Sequence, residues 1–313
     1  MTVPTPAPTP APGPEPVNSA VIAVTGASGR IGGRVARRIT RAGAPVRLLG
    51  RDPSRLPELP GAVAAPPVSY ADPKAMRTAL EGAHTLFLVS ARESADRVRE
   101  HTVAVDAAVA AGIERIVYVS FLGAAPDATF TFARDHWYTE QHIRATGLRH
   151  TFLRDSFYFA ALAAMTGADG VLRGPAGDGR VSAVAHDDIA DAASAVLLDR
   201  ADGGTGHDGR TYDLTGPEAL TLDEVAGVLG RFAGRPVRYE AETRPQAYGS
   251  RMRHGAPDWE LAGWVTSYEA IGAGELATVS DAVPRLTGRP AKDLATYLRE
   301  NPDSYAHLLP SSG

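Results

Sequence analysis

The stretch Val21–Val35, VIAVTGASGRIGGRV, sets Gly26, Gly29, Gly32 and Gly33 directly behind four apolar residues. Within it Ile31, Val35 and then Ile39 recur at helical spacing, while Arg34, Arg37, Arg38 and Arg41 take the opposite face. The pattern predicts a buried strand, a tight glycine turn and an amphipathic helix from Ile31 to Ala42. We read the arginine face as solvated rather than as a nucleic-acid patch.

The same rhythm continues outward. Apolar runs at Val46–Leu49, Thr85–Val89, Ile116–Ser120 and Thr151–Leu153 predict further strands, separated by helical stretches such as Ser94–Ala111. Apolar strands alternating with helices require a parallel sheet covered on both faces, so the fold class is α/β, a doubly wound (Rossmann) sheet over residues 18–154. Beyond it the rhythm loosens into a smaller, irregular α+β substrate lobe over residues 155–313, with segments returning to the sheet. There VSAVAHDDIA reads as strand then helix, TYDLTGP and PVRYE as strands, and TLDEVAGVLGRFAG as a helix opened by Thr221 with Glu224 three residues on. From Arg244 onward the pattern is mostly helical. Residues 1–17 carry proline at every second position from Pro4 to Pro16, which predicts an extended, disordered tail.

Composition narrows the chemistry. The 313 residues are 44% apolar with a net charge of -4, which offers no electrostatic basis for binding nucleic acid or anionic lipid. Cysteine is absent, so thiolate catalysis and Cys-type metal sites are excluded, and redox chemistry would need a bound cofactor. No apolar run reaches membrane-spanning length, and no basic start leads into an apolar stretch; the expectation is a cytoplasmic protein. No G-x-S-x-G or H-E-x-x-H spacing occurs, which argues against a hydrolase or a zinc site.

A strand, tight turn and helix bring helix N-terminal amides and the helix dipole to a pyrophosphate. Gly26 permits the turn, Gly29 lets phosphate approach the backbone, and Gly32 lets the helix pack on the strand. The second strand ends in Gly50 and Arg51 rather than in an acid, which favours the 2'-phosphate of NADP over the free ribose of NAD. Asp52, before Pro53, reads as a helix cap.

With VTGASGRIGG, VRLLGRDPSRL, RIVYVSFLGA and TEQHIRATGLRHTFLRDSFYFA, the chain resembles the NmrA-like branch of the atypical short-chain dehydrogenases/reductases. It is most similar to the NAD(P)H quinone oxidoreductases and triphenylmethane dye reductases of that branch. The resemblance extends through VAHDDIADAA and SYEAIGAGELATVSDAVPRLTGRP, covering nearly everything after the tail. It implies NADPH as cofactor and hydride transfer to a conjugated small molecule, with homo-oligomers open. It equally includes sensors that bind NADP without turnover.

Short-chain dehydrogenases carry Tyr-x-x-x-Lys on the helix after the fifth strand, the lysine lowering the tyrosine pKa. This chain has two lysines, Lys74 and Lys292. Tyr70 and Lys74 match the spacing by accident, with Pro73 between them. Alignment on the family pattern puts Phe132 at the tyrosine position and His136 at the lysine position. Loss of the acid pair argues against reducing simple ketones, whose alkoxide needs a proton donor, and suits conjugated acceptors. The resemblance makes Thr25, Gly26, Ser28, Gly29, Arg30, Ile31, Gly32, Arg51, Ser90, Ser120 and His136 the expected cofactor residues. Ser120 and His136 are the catalytic candidates, though Ser120 reads equally as a strand-end hydroxyl bonded to backbone. Phe121, Leu122, Phe157 and Tyr158 are the expected substrate walls. Asp155 and Ser156 replace the family's Asn-Gly, and Ser69 stands where relatives have an adenine-binding Asp.

Overall fold

The computed structural model describes residues 20–199 and 206–310; the predicted tail, residues 1–17, lies outside them. The strands are β1 (Ile22–Val24), β2 (Val46–Leu48), β3 (Ala62–Ala64), β4 (Thr85–Val89), β5 (Arg115–Phe121), β6 (Arg149–Asp155), β7 (Val171–Gly174), β8 (Arg180–Val181), β9 (Arg210–Leu214), β10 (Leu220–Thr221) and β11 (Arg238–Ala241). The helices are α1 (Gly32–Arg41), α2 (Pro73–Leu80), α3 (Arg97–Ala110), α4 (Thr131–Ala145), α5 (Phe159–Met165), α6 (His186–Leu198), α7 (Leu222–Ala233), α8 (Arg244–Met252), α9 (Asp258–Gly272), α10 (Ala282–Thr287) and α11 (Leu294–Glu300).

Seven strands form one sheet in the order β3-β2-β1-β4-β5-β6-β9, every pair parallel. Alternation along each strand splits its side chains between two layers. Ile22, Val24, Phe87, Val119 and Leu153 pack under α1 and α6, and Ala23, Leu88, Tyr118 and Phe152 pack under α2, α3 and α4. Because both faces are covered, β5 is buried along its whole length and reads as one apolar run.

The predicted strands and helices are all present, with differences at their ends. β6 runs two residues further in each direction than the apolar run Thr151–Leu153, because its ladder with β5 covers Arg149–Asp155, and on its other side Thr151–Asp155 pair with β9. That strand is the predicted TYDLTGP segment, returning from the C-terminal half to extend the sheet. β3 carries no sequence signal: it is three residues long, with Val63 64% exposed at the sheet edge. The arginine face of α1 is partly engaged rather than solvated. Arg38 Nη2 lies 2.8 Å from Asp187 Oδ1, its Nε lies 2.5 Å from Asp191 Oδ1, and Arg34 Nε lies 3.2 Å from Asp187 Oδ1.

Outside the seven-stranded sheet lie two small ones, β7 with β11 in parallel and β8 with β10 antiparallel. The capping box at the start of α7 forms as expected. Thr221 Oγ1 accepts from Glu224 N at 3.1 Å, Glu224 Oε2 accepts from Thr221 N at 2.9 Å, and Gly234 closes the helix at φ 67°.

Candidate active site

In the strand order, β2 and β4 flank β1, so the chain reverses direction across the sheet beside β1. Ligand crevices in open α/β sheets lie at that point, outside the carboxyl ends of the strands. A cleft of about 370 Å³ occupies this place, lined by Thr25, Gly26, Ser28, Gly29, Gly50, Arg51, Ser69 and Ser90 among others.

Each glycine of the turn has a structural reason. Gly26 sits at φ 59°, which favours glycine. A Cβ on Gly32 would lie 2.5 Å from the Thr25 carbonyl oxygen, so α1 approaches the end of β1 as closely as it does only without a side chain there. Thr25 Oγ1 donates to Phe87 O at 3.2 Å and accepts from Val89 N at 2.9 Å, pinning the turn to β4. Among the described residues, the amides of Ser28, Arg30 and Ile31 have no protein acceptor. Free amides at the start of a ten-residue helix form a cradle for an anion, so the turn fits the pyrophosphate of a dinucleotide. Arg51 lies on the same cleft, and Asp52 is turned to Ser54, accepting from its amide at 3.0 Å and from its hydroxyl at 2.6 Å. Asp52 thus caps a short helix, as read from the sequence, and Arg51 is the residue of this pair that lines the cleft.

Tyr70, set aside in the sequence with Lys74, also lines this cleft, and its hydroxyl donates to Val89 O at 2.6 Å. Lys74 is exposed on α2. The two form no catalytic couple.

A second cavity, about 480 Å³, opens beside the lobe and is walled by Phe130, Phe132, Phe157, Trp264 and Tyr268. The segment 90–93 joins the two spaces: Ser90, Ala91 and Arg92 line the cleft and Glu93 lines the cavity. Phe132, which the sequence reading aligned with the family's tyrosine, gives this cavity a carbon wall. Gly263 and Gly174 lie flat against the rings of Phe132 and Tyr268, leaving no room for side chains of their own.

Of the four expected substrate residues, Phe157 lines the cavity. Phe121 stands behind it, its ring centroid 5.5 Å from that of Phe157 and 5.1 Å from that of Phe130. Leu122 is core. Tyr158 turns the other way, its hydroxyl donating to Asp155 Oδ2 at 2.9 Å and its ring 4.4 Å from that of His186. Ser120 and His136 line neither space. Ser120 is fully buried and donates to Glu140 Oε1 at 2.6 Å, a carboxylate also held by Arg154 through bonds of 2.8 and 2.7 Å. His136 Nε2 accepts from Arg97 Nη2 at 3.2 Å, which leaves the proton on Nδ1, 2.9 Å from the Tyr118 hydroxyl.

Behind the joining segment lies a polar network that the sequence reading missed. His101 Nε2 accepts from the Ala91 amide at 2.8 Å, and the Ala91 carbonyl accepts from Arg97 Nε at 3.0 Å. His101 Nδ1 donates to Thr139 Oγ1 at 2.8 Å. Burial, reinforced by Arg97, pushes the pKa of His101 down to about 3 and holds that of His136 well below the ordinary value. Both rings are neutral at pH 7 and act as fixed donors and acceptors. The available signal was Arg97 and His101, four residues apart on one face of α3.

Among the described residues no group of His, Asp or Glu is arranged to hold a metal ion, and no helix is long and apolar enough to cross a membrane.

The NmrA-like family model matches residues 18–257. The NAD(P)H azoreductase of Xenophilus azovorans is 32% identical over 268 residues, covering 84% of this chain and 91% of that protein. A (4-alkanoyl-5-oxo-2,5-dihydrofuran-3-yl)methyl phosphate reductase of Streptomyces griseus is 35% identical over 273 residues, 86% of this chain and 93% of the relative. Among solved structures, the NADPH-dependent quinone oxidoreductase of Escherichia coli in complex with NADPH superposes with a TM-score of 0.79 at 28% identity, covering 89% of this chain and 99% of that one.

Proposed function

The chain belongs to the NmrA-like family, and on that premise we propose that it is an NAD(P)H-dependent oxidoreductase using NADPH to reduce a flat, conjugated small molecule. The observation that carries this reading is the aromatic cavity set beside the dinucleotide cleft, with Phe132 where an acid would be needed for a simple ketone. The relatives named for azo, quinone and unsaturated lactone acceptors share such conjugation. When bound, the reduced nicotinamide supplies a hydride; the acceptor's delocalised product takes its proton from water.

The chain's own residues bind and orient. The free amides after Gly26 hold the pyrophosphate, and Arg51 pairs with the 2'-phosphate, a charge-assisted contact that NADH lacks. Phe130, Phe132, Phe157, Trp264 and Tyr268 supply the aromatic walls against which the acceptor packs. His101 and Arg97 clamp both sides of the Ala91 peptide, fixing the segment between the two ligands. In this reading Ser120 and His136 are positioning residues: Ser120 fixes α4 to β5 through Glu140, and His136 fixes Arg97.

The test is oxidation of NADPH by the purified protein against a panel of quinones and azo compounds. Turnover is expected, lost in Gly29→Asp, which puts a carboxylate in the anion cradle. Arg51→Ala is expected to cut the NADPH-over-NADH preference about tenfold, the scale of one exposed charged hydrogen bond. Tight NADPH binding with no oxidation by any acceptor contradicts the proposal.

A further inference from the structure

The charges around the aromatic cavity are unevenly placed. Arg173, Arg251 and Arg253 line it, against one carboxylate, Glu93. Two of the arginines are already balanced by acids that do not line the cavity. Arg173 Nη2 lies 2.8 Å from Asp169 Oδ2, and Arg251 Nη1 lies 2.7 Å from Glu242 Oε2 while its guanidinium covers the Tyr268 ring at 5.0 Å. Arg253 has no acid partner among the described residues, and His254 stands beside it with its ring against Trp264 at 5.9 Å. Glu93 follows directly on the residues that line the dinucleotide cleft, whereas Arg253 follows α8 in the C-terminal half of the chain.

We propose that the acceptor carries an anionic group, a carboxylate, sulfonate or phosphate, held by Arg253 at the lobe end of this cavity. The inference rests on the reading of the cavity as the acceptor site and adds the acceptor's charge and direction. A guanidinium fork suits the paired oxygens of such groups. Glu93 repels the same group from the cofactor end, so the conjugated part of the molecule points toward the nicotinamide. A cationic acceptor would be repelled by the unpaired guanidinium of Arg253.

Binding can be read without turnover, because Trp264 lines the cavity and its fluorescence reports occupancy. Titration of the NADP-saturated protein with naphthalene-2-sulfonate, naphthalene-2-carboxylate, 2-naphthyl phosphate and naphthalene-2-methanol compares three anions with a neutral molecule of similar shape. At least one anion is expected to bind tenfold tighter than the alcohol, and the three arms identify which. Arg253→Ala is expected to reduce the anion-over-alcohol ratio about tenfold, and Arg253→Lys to reduce it less. Equal affinities for all four, or a ratio unchanged in Arg253→Ala, overturns the inference. Anion preference without NADPH oxidation by any acceptor sinks the oxidoreductase reading and leaves an anion site at Arg253 that serves no reduction; oxidation of quinones without anion preference keeps that reading and overturns the inference.

Discussion

At the scale of single residues, Asp155 departs furthest from ordinary behaviour. It is 2% exposed at the end of β6, and burial raises its pKa to about 8, the Tyr158 hydrogen bond opposing. Its carboxyl is therefore protonated at neutral pH. The folded state holds this proton from about pH 4, where the unfolded carboxylate loses it, up to about pH 8, so Asp155 removes stability as pH rises through that window. Asp155→Asn keeps an oxygen to accept from Tyr158 and abolishes the titration. The difference in unfolding free energy between Asp155→Asn and the parent, measured by denaturant titration, is expected to grow from pH 5 to pH 8.5, reaching a few kcal/mol at about 1.4 kcal/mol per pH unit. Parallel curves would dismiss the assignment. The sequence flagged Asp155 as a departure from the family's Asn-Gly, yet its protonation state was not legible there. It depends on neighbours contributed by the lobe. The same limit applied to Ser120 and His136, whose types were visible but whose partners, Glu140 and Arg97, were set by the packing of α3 and α4.

At the scale of elements, the glycine turn was almost fully legible, because a strand, a positive φ and a close helix approach each demand a residue type at a fixed spacing. Gly32→Ala tests that logic. Its new Cβ would lie 2.5 Å from Thr25 O, a backbone atom held by β1, so α1 must move. The expected cost is about 1–3 kcal/mol of stability, as for overpacked sites, with NADPH affinity reduced more than tenfold. Calorimetry and a fluorescence titration of NADPH measure the two; unchanged affinity would mean that the turn does not hold the pyrophosphate. Where a residue type is not demanded, legibility failed: β3 has three residues and an exposed edge, and nothing in AVA marks it. The pairing of Arg34 and Arg38 with Asp187 and Asp191 joins helices some 150 residues apart, beyond the reach of any local pattern.

For the whole molecule, the doubly wound sheet followed from alternation alone, whereas the cavity did not. Its walls come from α4, the segment after β6, and the distant helices α8 and α9, and only the folded chain brings Trp264 and Tyr268 against Phe132 and Phe157. On the proposed reading, the placement of that cavity beside the cleft gives the acceptor a site next to the cofactor. The direct measurement is the primary isotope effect on steady-state reduction of a quinone or azo acceptor, using NADPH deuterated separately at each C4 position. The account predicts that one of the two labelled cofactors slows turnover about two- to fourfold or more while the other does not, as a hydride leaves from one face. NADPH bound tightly and consumed at no measurable rate, or consumed with no effect from either label even in single turnovers, would contradict it.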